Sequence, residues 1–294
     1  MSAVQDTGAL ADKWFERLQS ESDSIRHKPK SIYHYTNADC LVPILATGIM
    51  YATDFRFLND RTEFLHGRAR AESILKSRSL KISELFRAEV LDYLNIDGQL
   101  RSFVVSFSSR RDDLSQWRGY ANDGDGFTLG FSTNHLCEKA NDQTSPFAIG
   151  EVNYLLSTLR KQINGIASDF FSEFLKTAQT PEDLDLFSAW CEAIINSACS
   201  LHKHNSFRFE KEWRIVDVLE EKDFHRIKVR SQNKLLIPYV EVDLRDQLGR
   251  LPLTSIGIGP SFTHPYTKNA VEDLCNQFGY SVEVYEAKTP YVRR

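Results

Sequence analysis

The sequence predicts an α+β fold with a mixed or antiparallel β core and a helical insertion at about 155–205. Three observations carry this expectation. Segments that alternate apolar and polar side chains, the mark of half-buried strands, gather toward both ends of the chain. Residues 155–205 lack that alternation and read as two helices, split near Thr180-Pro181-Glu182. The regular βαβα succession that a doubly wound parallel sheet needs is absent.

The elements follow in order. Residues 9–26 place Leu10, Trp14 and Leu18 on one helical face. Residues 27–31 are a short linker, so 1–30 is expected as an N-terminal helix and linker, and 31–294 as a single domain. Residues 31–35 alternate as a strand, and 38–47 form a short helix stopped by Gly48. A helix to about residue 77 opens at Asn59-Asp60-Arg61-Thr62-Glu63, where Asp60 and Glu63 have capping-box spacing. Residues 101–109, 126–132 and 147–154 read as strands, the second after the turn-rich ANDGDG. Residues 208–219 return to alternation, with Phe209, Lys211 and Trp213 on one face and Glu210, Glu212 and Arg214 on the other. Strands are expected at 235–242 and 254–259. A helix at 265–278 follows, capped by Thr263 and Gly279, and residues 281–285 close the chain as a strand.

Composition narrows the function classes. Of 294 residues, 41% are hydrophobic and 26% charged, a globular balance that excludes wholesale disorder and fibrous repeats. Lys and Arg number 36 against 40 Asp and Glu, a net charge of −4, so no global basic field draws in nucleic acid. The cysteines, Cys40, Cys137, Cys191, Cys199 and Cys275, form no C-x-x-C pair, which points to reduced thiols in a cytoplasmic protein. No signal peptide and no membrane span is expected. A phosphate loop, a dinucleotide fingerprint, G-x-S-x-G and H-E-x-x-H are all missing. His202-x-His204 reads as two solvated helix residues on different faces rather than a metal site.

Four segments carry unusual chemistry. They are Tyr33-His34-Tyr35-Thr36, Leu58-Asn59-Asp60 with Glu63, Ser106-Phe107-Ser108 followed by Gln116-Trp117-Arg118-Gly119-Tyr120, and Phe209-Glu210-Lys211-Glu212-Trp213-Arg214. Each has an ordinary reading: a satisfied strand histidine, a helix cap, a polar strand face, a solvated pair of acids. On a strand, Glu210 and Glu212 stand about 7 Å apart and repel unless a cation or ligand answers them. Arg214 shares their face and is a partner for them.

Taken in order, these motifs resemble the bacterial family known as domain of unknown function 2971, over roughly residues 31–290. That family is in turn distantly similar to the ADP-ribosyltransferase fold, including the DarT-like toxins. The resemblance implies an ADP-ribosyltransferase-like β core and an enzyme that uses NAD as substrate, with a nucleic-acid or protein acceptor and a role as a toxin or phage-defence effector. It assigns His34 to the adenosine ribose, with Tyr35 and Thr36 beside it. Ser106, Phe107 and Ser108 shape the nicotinamide pocket, Glu212 is the catalytic acid and Glu210 orients the acceptor. On chemical grounds, Tyr35, Tyr51 and Trp117 are candidates to stack on nicotinamide. Arg56, Arg61 and Arg118 are candidates to meet the pyrophosphate, and Asn59 is a candidate either to hydrogen-bond the ligand or to cap the helix.

The chemistry is coherent, because a carboxylate beside the ribose stabilises the oxocarbenium-like state of glycosidic cleavage. Two rivals stand beside it. One is a catalytically silent ligand-sensing or interaction module of the same fold. The other is a metal-dependent nuclease holding Mg²⁺ with Glu210, Glu212 and Asp60.

Overall fold

The computed structural model describes residues 3–23, 28–58, 61–95, 100–142, 145–177, 180–232, 234–262 and 264–291. Its centre is a ten-stranded sheet, antiparallel at every pairing but one. β3 (Leu100–Ser108) runs beside β6 (Glu212–Glu220) along its whole length, from Leu100↔Glu220 to Ser108↔Glu212. A short β5 (Ala148–Glu151) lines the far edge of β6.

The other edge of β3 is shared. β1 (Ser31–Thr36) meets it only at Tyr33↔Ser108, whereas β2 (Ile49–Asp54) meets it at Thr53↔Val104 and Asp54↔Phe103. Both run antiparallel to β3, so each, if continued, would claim the stretch around Ser106. They part instead. β1 turns away to pair in full with β4 (Phe127–Ser132), followed by β9 (Leu253–Ile258) and the parallel β10 (Glu283–Glu286). β2 turns the other way to β8 (Leu235–Asp243) and β7 (Lys228–Gln232). The sheet therefore forks at β3.

Alternation along β3 divides two environments. Phe103, Val105 and Phe107 join Trp213, Ile215, Phe131 and Val240 in the main core, which α2 (Ala38–Thr47), α6 (Thr133–Ala140) and α9 (Thr267–Gln277) cover. Ser106 and Ser108 project from the opposite face with Arg214 and Glu212. A second core is built by helices, with Leu80 and Ile82 from the connection between two of them. α1 (Ala3–Asp23), α3 (Arg61–Leu75), α4 (Glu84–Asn95), α7 (Leu156–Thr177) and α8 (Pro181–Ser200) bury Trp14, Phe86, Phe170 and Phe187 together. Gly165 lets α7 close on α1, since a Cβ there would stand 2.8 Å from the Trp14 ring. α8 starts at the expected break, with Pro181 in its first turn and a reciprocal Thr180–Asp183 capping box. Its last turns are wholly buried because they also reach β3 and β6.

Several expectations are corrected. Residues 208–219 are not one strand. Asn205–Glu210 forms a 3-10 turn, Lys211 adopts a left-handed φ of 48°, and β6 starts at Glu212. Phe209 is accordingly 62% exposed rather than on an apolar sheet face. His202 and His204 lie beyond the end of α8: His202 bridges Asn153, and His204 caps the 3-10 turn. The strand expected at 147–154 shortens to β5. The last helix starts at Thr267, two residues late, while Thr263 lies outside the described residues. β2, α4, α6, β7 and a short α5 (Leu114–Tyr120) are elements the alternation did not reveal. No helix among the described residues is long and apolar enough to cross a membrane.

Candidate functional site

The fork leaves the Ser106 carbonyl oxygen without a strand partner on that side, and a buried carbonyl must find one. The His34 ring supplies it, Nδ1–H donating to Ser106 O at 2.9 Å. Burial is the main force on His34 and lowers its proton affinity, the carbonyl bond works against that, and the Arg230 charge adds to it. The imidazole is thus neutral at pH 7, with Nε2 left as an acceptor. The ring also meets Phe107 edge-on at 5.8 Å.

Beside this histidine the fork opens into a cleft of about 390 Å³, counted with its mouth. Tyr33, His34 and Tyr35 from β1 form one wall, Ser106 and Phe107 from β3 the floor, and Gln116 and Tyr120 from α5 the other wall. Glu210 and Glu212 complete the lining.

The two acids are answered by two cations. Arg214, 1% exposed, grips Glu212 bidentately, Nε to Oε1 at 2.7 Å and Nη2 to Oε2 at 3.0 Å. Its Nη1 donates to the Ser200 carbonyl at the end of α8. Lys203, also buried, places Nζ 2.6 Å from Glu210 Oε2 and 3.2 Å from Glu212 Oε2. Two carboxylates, one ammonium and one guanidinium sum to zero, the condition on which a buried cluster is tolerated. Burial pushes the Glu212 carboxyl up, but the Arg214 and Lys203 charges, with hydrogen bonds from Arg214 and Ser106, outweigh it and hold it near 2. Glu212 is a carboxylate at any physiological pH.

Glu210 reaches the same cluster by a different route from the one expected. The left-handed Lys211 turns the chain, so Glu210 is not a strand neighbour of Glu212 but folds back onto Lys203. Ser108 latches that turn, its hydroxyl donating to the Glu210 carbonyl at 2.7 Å and accepting from Arg110 N. Tyr120 donates its phenol to Glu210 Oε1 at 3.3 Å. Tyr154 receives the Glu212 backbone N–H at 2.9 Å, and burial raises both phenols.

The fold brings His34, Tyr35, Ser106, Phe107, Glu210 and Glu212 to one cleft. Tyr33, Gln116 and Tyr120 from the same segments join them there, and the remaining residues expected to meet the ligand lie off the lining. Thr36 is buried in β1, and the Ser108 hydroxyl is consumed by its latch. Trp117 is wholly buried, edge-on to Tyr35 at 4.9 Å, with its indole N–H on Asp112. Arg118 is exposed and faces Asp123 and Tyr291. Arg56 pairs with Asp54, and Tyr51 lies on Tyr239. Asn59 and Asp60 lie outside the described residues, as does the Arg61 side chain.

Sequence reasoning missed Lys203, the cation common to both acids. Its one signal is that a closely spaced acid pair needs a buried countercharge. Among the described residues, no group of three His, Cys, Asp or Glu side chains is placed to hold a metal ion.

Residues 116–215 match the model of a family described as a protein of unknown function (DUF2971). The matched stretch carries four of the nine lining residues, Gln116, Tyr120, Glu210 and Glu212, together with Lys203 behind them, and supports a place in that family. No curated protein and no solved structure matches the chain.

Proposed function

We propose that the cleft binds NAD and cleaves its nicotinamide–ribose bond, passing ADP-ribose to an acceptor. The observation that carries this reading is the meeting of His34, Ser106 and the ionised Glu212 on one cleft with aromatic walls. The cleft reaches about 390 Å³ only when its open mouth is counted, so a whole dinucleotide must extend beyond it and only one end can sit inside. Tyr33, Tyr35 and Phe107 offer faces and edges to the ring.

Each residue then has a task. Glu212, already charged, stabilises the cationic sugar as the glycosidic C–N bond breaks and its electron pair leaves with neutral nicotinamide. Arg214 and Lys203 keep that carboxylate ionised and fixed. His34 Nε2 accepts from a ribose hydroxyl. The acceptor's nucleophilic atom bonds to the anomeric carbon and yields its proton to Glu210, whose link to Tyr120 places it at the cleft wall.

The test is transfer of label. The protein is incubated with cell lysate and NAD radiolabelled in its adenylate phosphate, and the macromolecular fraction is counted before and after nuclease or protease. The proposal expects retained label that one of the two digestions releases, and no label with Glu212→Gln. Equal label from the wild type and Glu212→Gln would sink it.

A further inference from the structure

The fork has a second side. Opposite the cleft, β2, β8 and β7 present one continuous face. Thr53 stands opposite both Val104 and Tyr239, and Tyr239 stands opposite Lys228, whose neighbour but one is Arg230. Val104 and Ser106 share that face, about 7 Å apart along β3. The same sheet surface therefore runs from Glu212 and Arg214 past Ser106 to Arg230.

Arg230 is unlike the other arginines packed on the sheet. Arg214 pairs with Glu212, Arg226 with Asp217, and Arg56 and Arg101 with Asp54. Among the described residues Arg230 has no carboxylate partner. It makes one hydrogen bond, Nη2 donating to Thr53 Oγ1 at 3.0 Å, and its buried Nε donates to no described residue. Its guanidinium lies 5.8 Å from the ring centres of both Tyr51 and Tyr239, at the outer limit of a cation–π contact. The two rings are 4.2 Å apart, and Tyr51 is 43% exposed. A half-buried guanidinium with spare donors and no acid is matched by an anion with several acceptor oxygens, and its planar fork suits phosphate.

We infer that Arg230 and Thr53, set against the Tyr51–Tyr239 pair, form an anion subsite for the phosphate of a nucleotide whose other end lies in the cleft. This rests on the proposed function and extends it. The cleft takes the ring and ribose, and the phosphates cross the fork to Arg230. His34 stands between the two halves, touching Ser106 and sensing the Arg230 charge. The exposed Tyr51 ring provides a stacking face for the base beyond the phosphates.

Titration calorimetry with three probes tests the subsite on the wild type and Arg230→Gln, with thermal unfolding to verify that both are folded. The probes are inorganic pyrophosphate, NAD, and nicotinamide riboside, which lacks phosphate. The expected result is that Arg230→Gln weakens pyrophosphate and NAD on the order of 10- to 100-fold, the span of a charge-assisted hydrogen-bonded pair, and leaves the riboside unchanged. Pyrophosphate binding equal in the two proteins, or absent from both, overturns the inference. Equal weakening of NAD and riboside also overturns it, because Arg230 would then act through the shape of the cleft. Pyrophosphate held through Arg230 with no NAD bound keeps the subsite and removes the NAD reading.

Discussion

Four side chains set the electrostatics of the cleft, and they were not equally legible in the sequence. Arg214 is two residues from Glu212 on a strand, so their pairing was visible from spacing alone. Lys203 was not visible, because it reaches Glu210 and Glu212 through a loop return that no periodicity announces. The cluster has a pH signature. The Glu212 carboxyl is lowered in the folded chain to about 2 from an ordinary 4.5, so it contributes stability that is complete above pH 4.5 and lost as pH falls through about 2. The urea midpoint of Glu212→Gln is therefore expected to lie below that of the wild type at pH 7, and the gap to close between pH 4.5 and 2. His202, lowered to about 4 chiefly by burial, adds a loss in both proteins as pH falls from 6.5 toward 4, and cancels in the comparison. A gap constant with pH would mean that Glu212 is not held by Arg214 and Lys203.

At the scale of elements, strands with clean alternation were legible, and those bent to build the site were not. The run RFEKEWRIVDVL alternates throughout, yet its first half leaves the sheet because Lys211 takes a left-handed conformation, rare outside glycine and invisible to hydrophobic periodicity. The short α5 was hidden for a related reason: seven residues give too few turns to show a period. Its anchor is Trp117, fully buried against Tyr35 and bonded to Asp112, which also accepts from the Lys288 and Thr289 backbones. Trp117→Ala is expected to cost about 3–5 kcal/mol of stability, read as a lower urea midpoint, by emptying that cavity. A change under about 1 kcal/mol would show that α5 is held by something else. Since α5 carries Gln116 and Tyr120, the same substitution loosens one wall of the cleft.

For the whole molecule, the mixed α and β content, the antiparallel sheet and the helical pair split at Thr180-Pro181 were all readable, because each rests on local periodicity and capping. The fork was not, because it arises from two strands competing for one edge of β3, a relation between residues 31–54 and 100–108 that no local pattern encodes. That non-local feature makes the cleft: it frees the Ser106 carbonyl for His34 and opens the floor above Glu212. The central claim is that this cleft breaks the nicotinamide–ribose bond and passes the ADP-ribose on, and nicotinamide release from NAD in the presence of cell lysate as the source of acceptor, followed by chromatography, tests it most directly. The account predicts release by the wild type and a rate at least about 100-fold lower in a folded Glu212→Gln, the scale of losing one charge-stabilising group from a transition state. Release at the same rate from both proteins, or none from the wild type, would contradict it.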